Sequence, residues 1–149
     1  TGHATSVRDW AIGGVWGGWV QITDGRHKYA RAPEHQNFPL SMWSNRWSTM
    51  PVSTDLIPPL APPDKRATLD YMPGSDIPVI RQPFAPGDPL PFWANVGSVG
   101  RHHLYDLSND PDEQENRANE AVHREMVDLL HTALDALDAP DDQYVRLGV

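Results

Sequence analysis

The chain has no cysteine. Disulfides and thiolate metal sites are thereby excluded, while the compartment stays open, since reducing and oxidising spaces both accept cysteine-free chains. Long apolar runs are missing too. No stretch approaches the ~18 consecutive apolar residues of a membrane helix, so no membrane partner is expected. The first residues, Thr1-Gly2-His3-Ala4-Thr5-Ser6, offer neither a starting Met nor an apolar signal segment, and read as a piece cut from something longer. Apolar residues make up only 39%, with a mean hydropathy of -0.54. No run of basic residues favours nucleic acid. A Gly-x-Ser-x-Gly elbow and a phosphate-binding Gly-Lys-Ser/Thr loop are both absent; Gly13-Gly14-Val15-Trp16-Gly17-Gly18 lacks the lysine and the following helix that such a loop needs. Seven histidines are present, yet His102 and His103 are adjacent and would point to opposite faces of a strand. His123 and His131 lie eight apart on a helix. No metal site is expected within this chain.

What is abundant is unevenly spread. The formal charge of -8 hides an asymmetry: residues 106–142 hold twelve Asp and Glu against two Arg, and the remainder is slightly positive. A solvated helix face accounts for that run, and an acidic surface that docks a basic partner is the alternative. Eleven of the fifteen prolines fall within 51–93. Pairs such as Pro58-Pro59 and Pro62-Pro63 remove backbone donors and favour extended segments. The same stretch keeps Leu56, Ile57, Leu60, Leu69, Tyr71, Val79, Ile80, Phe84, Phe92 and Trp93, too much apolar surface to leave in water. It reads as a long ordered loop wrapped on a larger body.

One α+β domain follows: a small antiparallel sheet over 8–31, a Pro-rich wrapping segment over 32–100, a strand over 102–107 and one long helix over about 117–138. Asp24-Gly25 between two alternating runs signals a hairpin with a two-residue loop, which pairs Thr23 with Arg26, Ile22 with His27 and Val20 with Tyr29. Val20, Ile22 and Tyr29 then share one face, and Gln21, Thr23, Arg26 and Lys28 the other. Asp110, Pro111 and Glu113 have the form of a capped helix start. Val122, Met126, Leu129, Leu130, Ala133, Leu134 and Leu137 follow helical spacing, and Pro140 ends the helix. Asp141-Asp142 reads as solvated charge, and Val145 and Leu147 as a last extended segment.

The six tryptophans serve as core and interface mass, or as a platform for a sugar or aryl ligand. Trp43-Ser44-Asn45-Arg46-Trp47 stands apart, because two indoles flanking a guanidinium suit an anionic ring. From the residues alone this is an accessory domain without a visible active site.

Leu104-Tyr105-Asp106-Leu107-Ser108-Asn109-Asp110-Pro111-Asp112-Glu113, then Glu115-Asn116, resembles the C-terminal signature of type I sulfatases in the alkaline-phosphatase superfamily. The stretch from Arg8-Asp9 through Val20-Gln21-Ile22-Thr23-Asp24-Gly25-Arg26 to Tyr29 is similar to the hairpin of that family. Asn37-Phe38-Pro39-Leu40 up to Met50-Pro51 looks like the stretch that follows it in one bacterial branch. The likeness implies a small antiparallel sheet with a long helix, packed beside an N-terminal catalytic domain. It implies that the whole protein hydrolyses sulfate esters, with a formylglycine and a divalent metal, calcium, held by that other domain. None of those catalytic positions carries over, for there is no Cys and no Ser followed by x-Pro-x-Arg. Trp16, His35, Arg46 and Trp47 are expected toward the substrate mouth. The expected partner is the catalytic domain of the same protein, or a second copy meeting the surplus apolar surface across a two-fold. A freestanding Trp-rich module for an anionic or sugar ligand is the alternative.

Overall fold

A computed structural model describes residues 8–45, 67–72, 74–87, 100–118 and 121–149. Four strands form one antiparallel sheet in the order β1-β2-β3-β7: β1 Ala11–Gly14, β2 Val20–Thr23, β3 His27–Arg31 and β7 His103–Asp106. Its inner row runs Ile12, Ile22, Tyr29, Leu104, one residue from each strand directly opposite the next. On this row lies helix α1, Val122–Ala136, with Met126, Leu130, Ala133 and Leu134. Ile22, Tyr29, Leu104 and Leu130 are essentially fully buried. The small α+β fold expected from the sequence is thus present, with the helix on one face of the sheet.

The hairpin exists, but its register lies two residues from the expected one. Ile22 faces Tyr29 and Thr23 faces Lys28. The cause is Asp24, whose Oδ1 accepts the amide hydrogens of Arg26 (2.8 Å) and His27 (2.6 Å), and Thr23 Oγ1 accepts that of Gly25. These side chains close a wider loop, with Gly25 at φ 93° where a Cβ would be strained. A slip of two leaves every side chain on its own face. Val20, Ile22 and Tyr29 therefore still share one.

The segment 32–100 is not one irregular loop. It contributes a second antiparallel sheet in the order β4-β6-β5, from β4 Leu40–Ser44, β5 Thr68–Tyr71 and β6 Pro78–Phe84. Prolines do not forbid it. Pro78 opens its strand, and Pro83 lies past the last residue that β5 covers, where β6 is an edge. Leu56, Ile57, Leu60, Phe92 and Trp93 lie outside the described residues.

Helix α1 also begins later than 117. Asn116 Oδ1 accepts the amides of Leu104 and Ala118, and Arg117 N–H donates to Leu104 O (2.8 Å), so this stretch is held along β7 instead of coiling. The capping box at Asp110 does not form a helix start. Asp110 accepts from Gln114 and Glu115 in a turn, while Glu113 turns away to Lys28 Nζ at 2.7 Å. Finally, 141–147 is not extended. It forms a second helix, α2, Asp141–Leu147, preceded by Pro140 and stopped by Gly148 at φ 63°. Two acidic residues in its first turn and Arg146 in its last suit the helix dipole.

Helix α2 ties the sheets together. Asp142 Oδ2 accepts from Ser41 Oγ and from Arg81 Nη2, both at 2.9 Å, so the expectation of solvated charge fails at this residue. Arg146, only 2% exposed, donates through Nη1 to Gly18 O and to Asn37 Oδ1, each 2.8 Å away. Burial pulls its guanidinium down to about 10.

Candidate functional site

Of the four residues expected at a substrate mouth, Trp16 and His35 are described; Arg46 and Trp47 lie outside the described residues. Trp16 leaves β1 and turns inward. Its indole N–H donates to Ser41 O (3.0 Å) and its ring meets Phe84 edge-on at 5.3 Å, joining the two sheets. His35 is exposed and opens a turn, His35–Asn37, in which three successive residues adopt φ of 49°, 59° and 67°. Such left-handed backbone without glycine needs outside support. Asn37 provides it: Nδ2 donates to Gly17 O (2.6 Å) and Oδ1 accepts from Arg146. The loops carrying Trp16 and His35 are therefore clasped side by side, although the indole itself is committed to the interior. An aromatic–cation pair does form at Trp43, with Arg81 at 5.2 Å from the ring centre.

A second cluster unites residues far apart in the chain. Tyr29 from β3, His102 from the approach to β7 and His123 from the first turn of α1 stack with ring centres 5.1–6.2 Å apart. Tyr29 Oη lies 2.8 Å from His123 Nε2 and 3.3 Å from Arg31 Nη1. Arg31, itself buried, also donates to Glu34 Oε1, Leu147 O and Gly148 O. His102 Nδ1 accepts the Ala32 amide hydrogen at 3.1 Å, and its Nε2 faces Glu34 Oε1 at 3.7 Å. Burial pushes the Tyr29 hydroxyl up from its ordinary value. Burial, then the charge of Arg31 and the neighbouring His123, pushes the His102 ring down.

The two histidines open onto a cleft of about 640 Å³ lined by Gly100, Arg101, His102, Asn116, Ala118 and His123. Sequence reasoning looked for a partner of His123 along its own helix and missed the one across the sheet. Adjacent His103 does diverge from His102 as expected, its Nδ1 lying 2.7 Å from Tyr105 Oη, with Nε2 buried and without a hydrogen bond among the described residues.

The residues that resemble the sulfatase signature gather at a third place. Asp106, 2% exposed, accepts from Arg26 Nη2 (2.8 Å), from Asn109 Nδ2 and from the Ser108 amide. Arg26 above all holds its carboxyl well below the usual carboxylate range. Among the described residues, no group of three or more His, Asp or Glu is placed to hold a metal ion, and no helix is long and apolar enough to cross a membrane. No family model matches the chain, and no curated protein or solved structure matches it.

Proposed function

We propose that this chain is the C-terminal, non-catalytic portion of a sulfatase-type hydrolase, in which sulfate-ester hydrolysis belongs to the whole protein. The observation that carries the reading is a convergence. The stretch around Asp24-Gly25-Arg26 and the stretch around Leu104-Tyr105-Asp106-Leu107, each similar to that family, lie some eighty residues apart and meet in the Arg26–Asp106 pair. Lys28 and Glu113 join the same two stretches at 2.7 Å. Asn116 then fastens Leu104 from its other side. A signature made of such residues is one that holds a strand, a turn and a hairpin together, and it needs no catalytic group of its own. In this reading the formylglycine and calcium belong to the N-terminal catalytic domain, and Trp16, His35, Arg46 and Trp47 contribute to the rim of the substrate mouth.

The test begins with the native polypeptide in its source. Its mass should be well above the 16.7 kDa of this chain, and it should hydrolyse an aryl sulfate. In that protein Arg46→Ala and Trp47→Ala should raise KM for some sulfate esters and leave others unchanged. A native chain of 16.7 kDa, or a larger one inert toward sulfate esters, overturns the reading; the former favours a freestanding binding module.

A further inference from the structure

We propose that the cleft between the approach to β7 and the first turn of α1 binds a small oxyanion, gripped by the Arg101 guanidinium and the His123 Nδ1–H.

The hydrogen-bond network assigns the protons. Arg31 has only donors, so it donates to Tyr29 Oη, and the single Tyr29 O–H points to the remaining neighbour, His123 Nε2. His123 Nε2 is thus an acceptor, which places the ring proton on Nδ1. No protein partner meets that Nδ1–H among the described residues. The relay from a buried guanidinium through a phenol polarises the imidazole and strengthens it as a donor. His102 is fixed in the same manner. Its Nδ1 lone pair takes the Ala32 amide hydrogen, which leaves Nε2–H facing Glu34.

Neither ring retains a free lone pair, so the pair of histidines does not invite a metal ion. Asn116 agrees with this polarity. Its Oδ1 is occupied by the amides of Leu104 and Ala118 and its Nδ2 gives one hydrogen to His102 O at 3.0 Å, which leaves one amide hydrogen to act outward. Among the described residues, every side-chain polar group free to serve a ligand in the cleft is a donor, and the lining includes no carboxylate. Arg101 completes the picture. Arg26, Lys28, Arg31, Arg81 and Arg117 each meet a carboxylate, whereas exposed Arg101 meets none among the described residues. A guanidinium presents a planar fork that matches two oxygens of one oxyanion, and the His123 N–H can take a third.

This inference stands apart from the sulfatase reading, since a cleft that binds no anion would leave catalysis by another domain untouched. Its test uses the 149-residue chain with isotope-labelled histidines, titrated at constant ionic strength with inorganic phosphate and with phenyl phosphate. Saturable shifts of the His123 ring signals are expected with one or both probes. Tighter binding of phenyl phosphate would mark the terminal group of a small molecule as the ligand, and tighter binding of phosphate a free ion. Arg101→Gln should weaken binding about fivefold or more, the loss of one charge-assisted contact, with the unfolding midpoint unchanged. An absence of saturation with both probes, or saturation that Arg101→Gln leaves unaltered, overturns the proposal.

Discussion

Replacing Arg146 with alanine removes the guanidinium that joins α2, the Gly17-Gly18 loop and the left-handed turn at His35–Asn37. Nη1 serves Gly18 O and Asn37 Oδ1; Nε and Nη2 serve Gln143 Oε1. No carboxylate lies among these acceptors, so the charge is held by neutral dipoles alone. The fall from 12.5 to about 10 puts the cost of burying it at about 3 kcal/mol. The native state accepts that cost because the bonds exceed it. Buried hydrogen bonds to a charged group contribute ~1.5–3 kcal/mol each, net of desolvation. Gln143 rehydrates, whereas Gly18 O is buried and Asn37, equally part-exposed, is held in place by its Nδ2 bond to Gly17 O, so these two acceptors lose their donor, about 3 kcal/mol at the lower bound. Lost packing of the aliphatic stem adds about 1 kcal/mol. A total near 4 kcal/mol should lower Tm by roughly 8–16 °C in a chain of this size. Urea unfolding followed by tryptophan fluorescence measures it, and Arg146→Met should regain the stem's share alone. A loss below about 1 kcal/mol in Arg146→Ala would refute the reasoning, since the site would then be hydrated and the joint dispensable.

Asp106→Asn should flatten the acid limb of stability. The native carboxyl, held down chiefly by Arg26, ionises below its unfolded value near 3.9, so its contribution is in place above about pH 4 and lost as pH falls further; urea midpoints down to about pH 2 report it. His102 carries a second pH dependence. Its folded pKa lies below the unfolded value of about 6.5, so the unfolded chain takes the proton first and stability declines as pH drops below ~6.5. His102→Gln should reduce that slope and leave the part due to His103, which burial also lowers. Gly148→Ala should cost about 1–2 kcal/mol in thermal melts, because φ is 63° and the new Cβ would press on the Glu34 carboxylate.

Alternation in 20–31 was enough to place Val20, Ile22 and Tyr29 on the core face, since that face survives any even slip of register. The register was not legible, because it depends on which amide hydrogens Asp24 captures, and a type I′ turn competes on equal compositional terms. From Val122 to Leu134 the helical spacing is intact and α1 follows it, but the helix stops at Ala136, ahead of Pro140, and leaves Leu137 exposed. Its start was misplaced because Asn116 and Leu104 decide it from twelve residues away. The second sheet failed to register for a related reason: proline density suppresses a strand assignment locally, whereas Pro78 and Pro83 sit at positions that lack a neighbour on one side. The α2 helix had a signal that went unused, a proline, two acids, then an arginine before glycine. As for the candidate site, the neighbours of His102 and His123 come from a different strand and helix, and spacing along one element does not reveal a pair formed across a sheet. Trp16 was visible as a residue, but not the direction of its indole.

The charge asymmetry acquires a different meaning once the pairs are known. A run of twelve acidic residues over 106–142 suggests one solvated face, and its middle matches that description, with Glu125, Asp128 and Asp135 exposed on α1. Its two ends do not. Asp106 and Glu113 reach back to Arg26 and Lys28 of the first hairpin, and Asp142 reaches Arg81 of the second sheet. The positive early chain and the negative late chain are complements of one another. Partly solvated pairs such as Lys28–Glu113 contribute only about 0–1 kcal/mol, so their use is not chiefly in stability. They discriminate: a like charge at either end would oppose closing the tail on the strands it must meet, whereas other arrangements of the same apolar row would cost little. Asp106 goes further, since a buried carboxylate deprived of Arg26 would lose its charge-assisted hydrogen bond and keep only the longer contact with Arg117 at 3.6 Å. Residues with that duty resist change whatever chemistry occurs elsewhere in a protein. A pattern built from them therefore reports how the chain closes on itself, and the substrate must be sought at other residues.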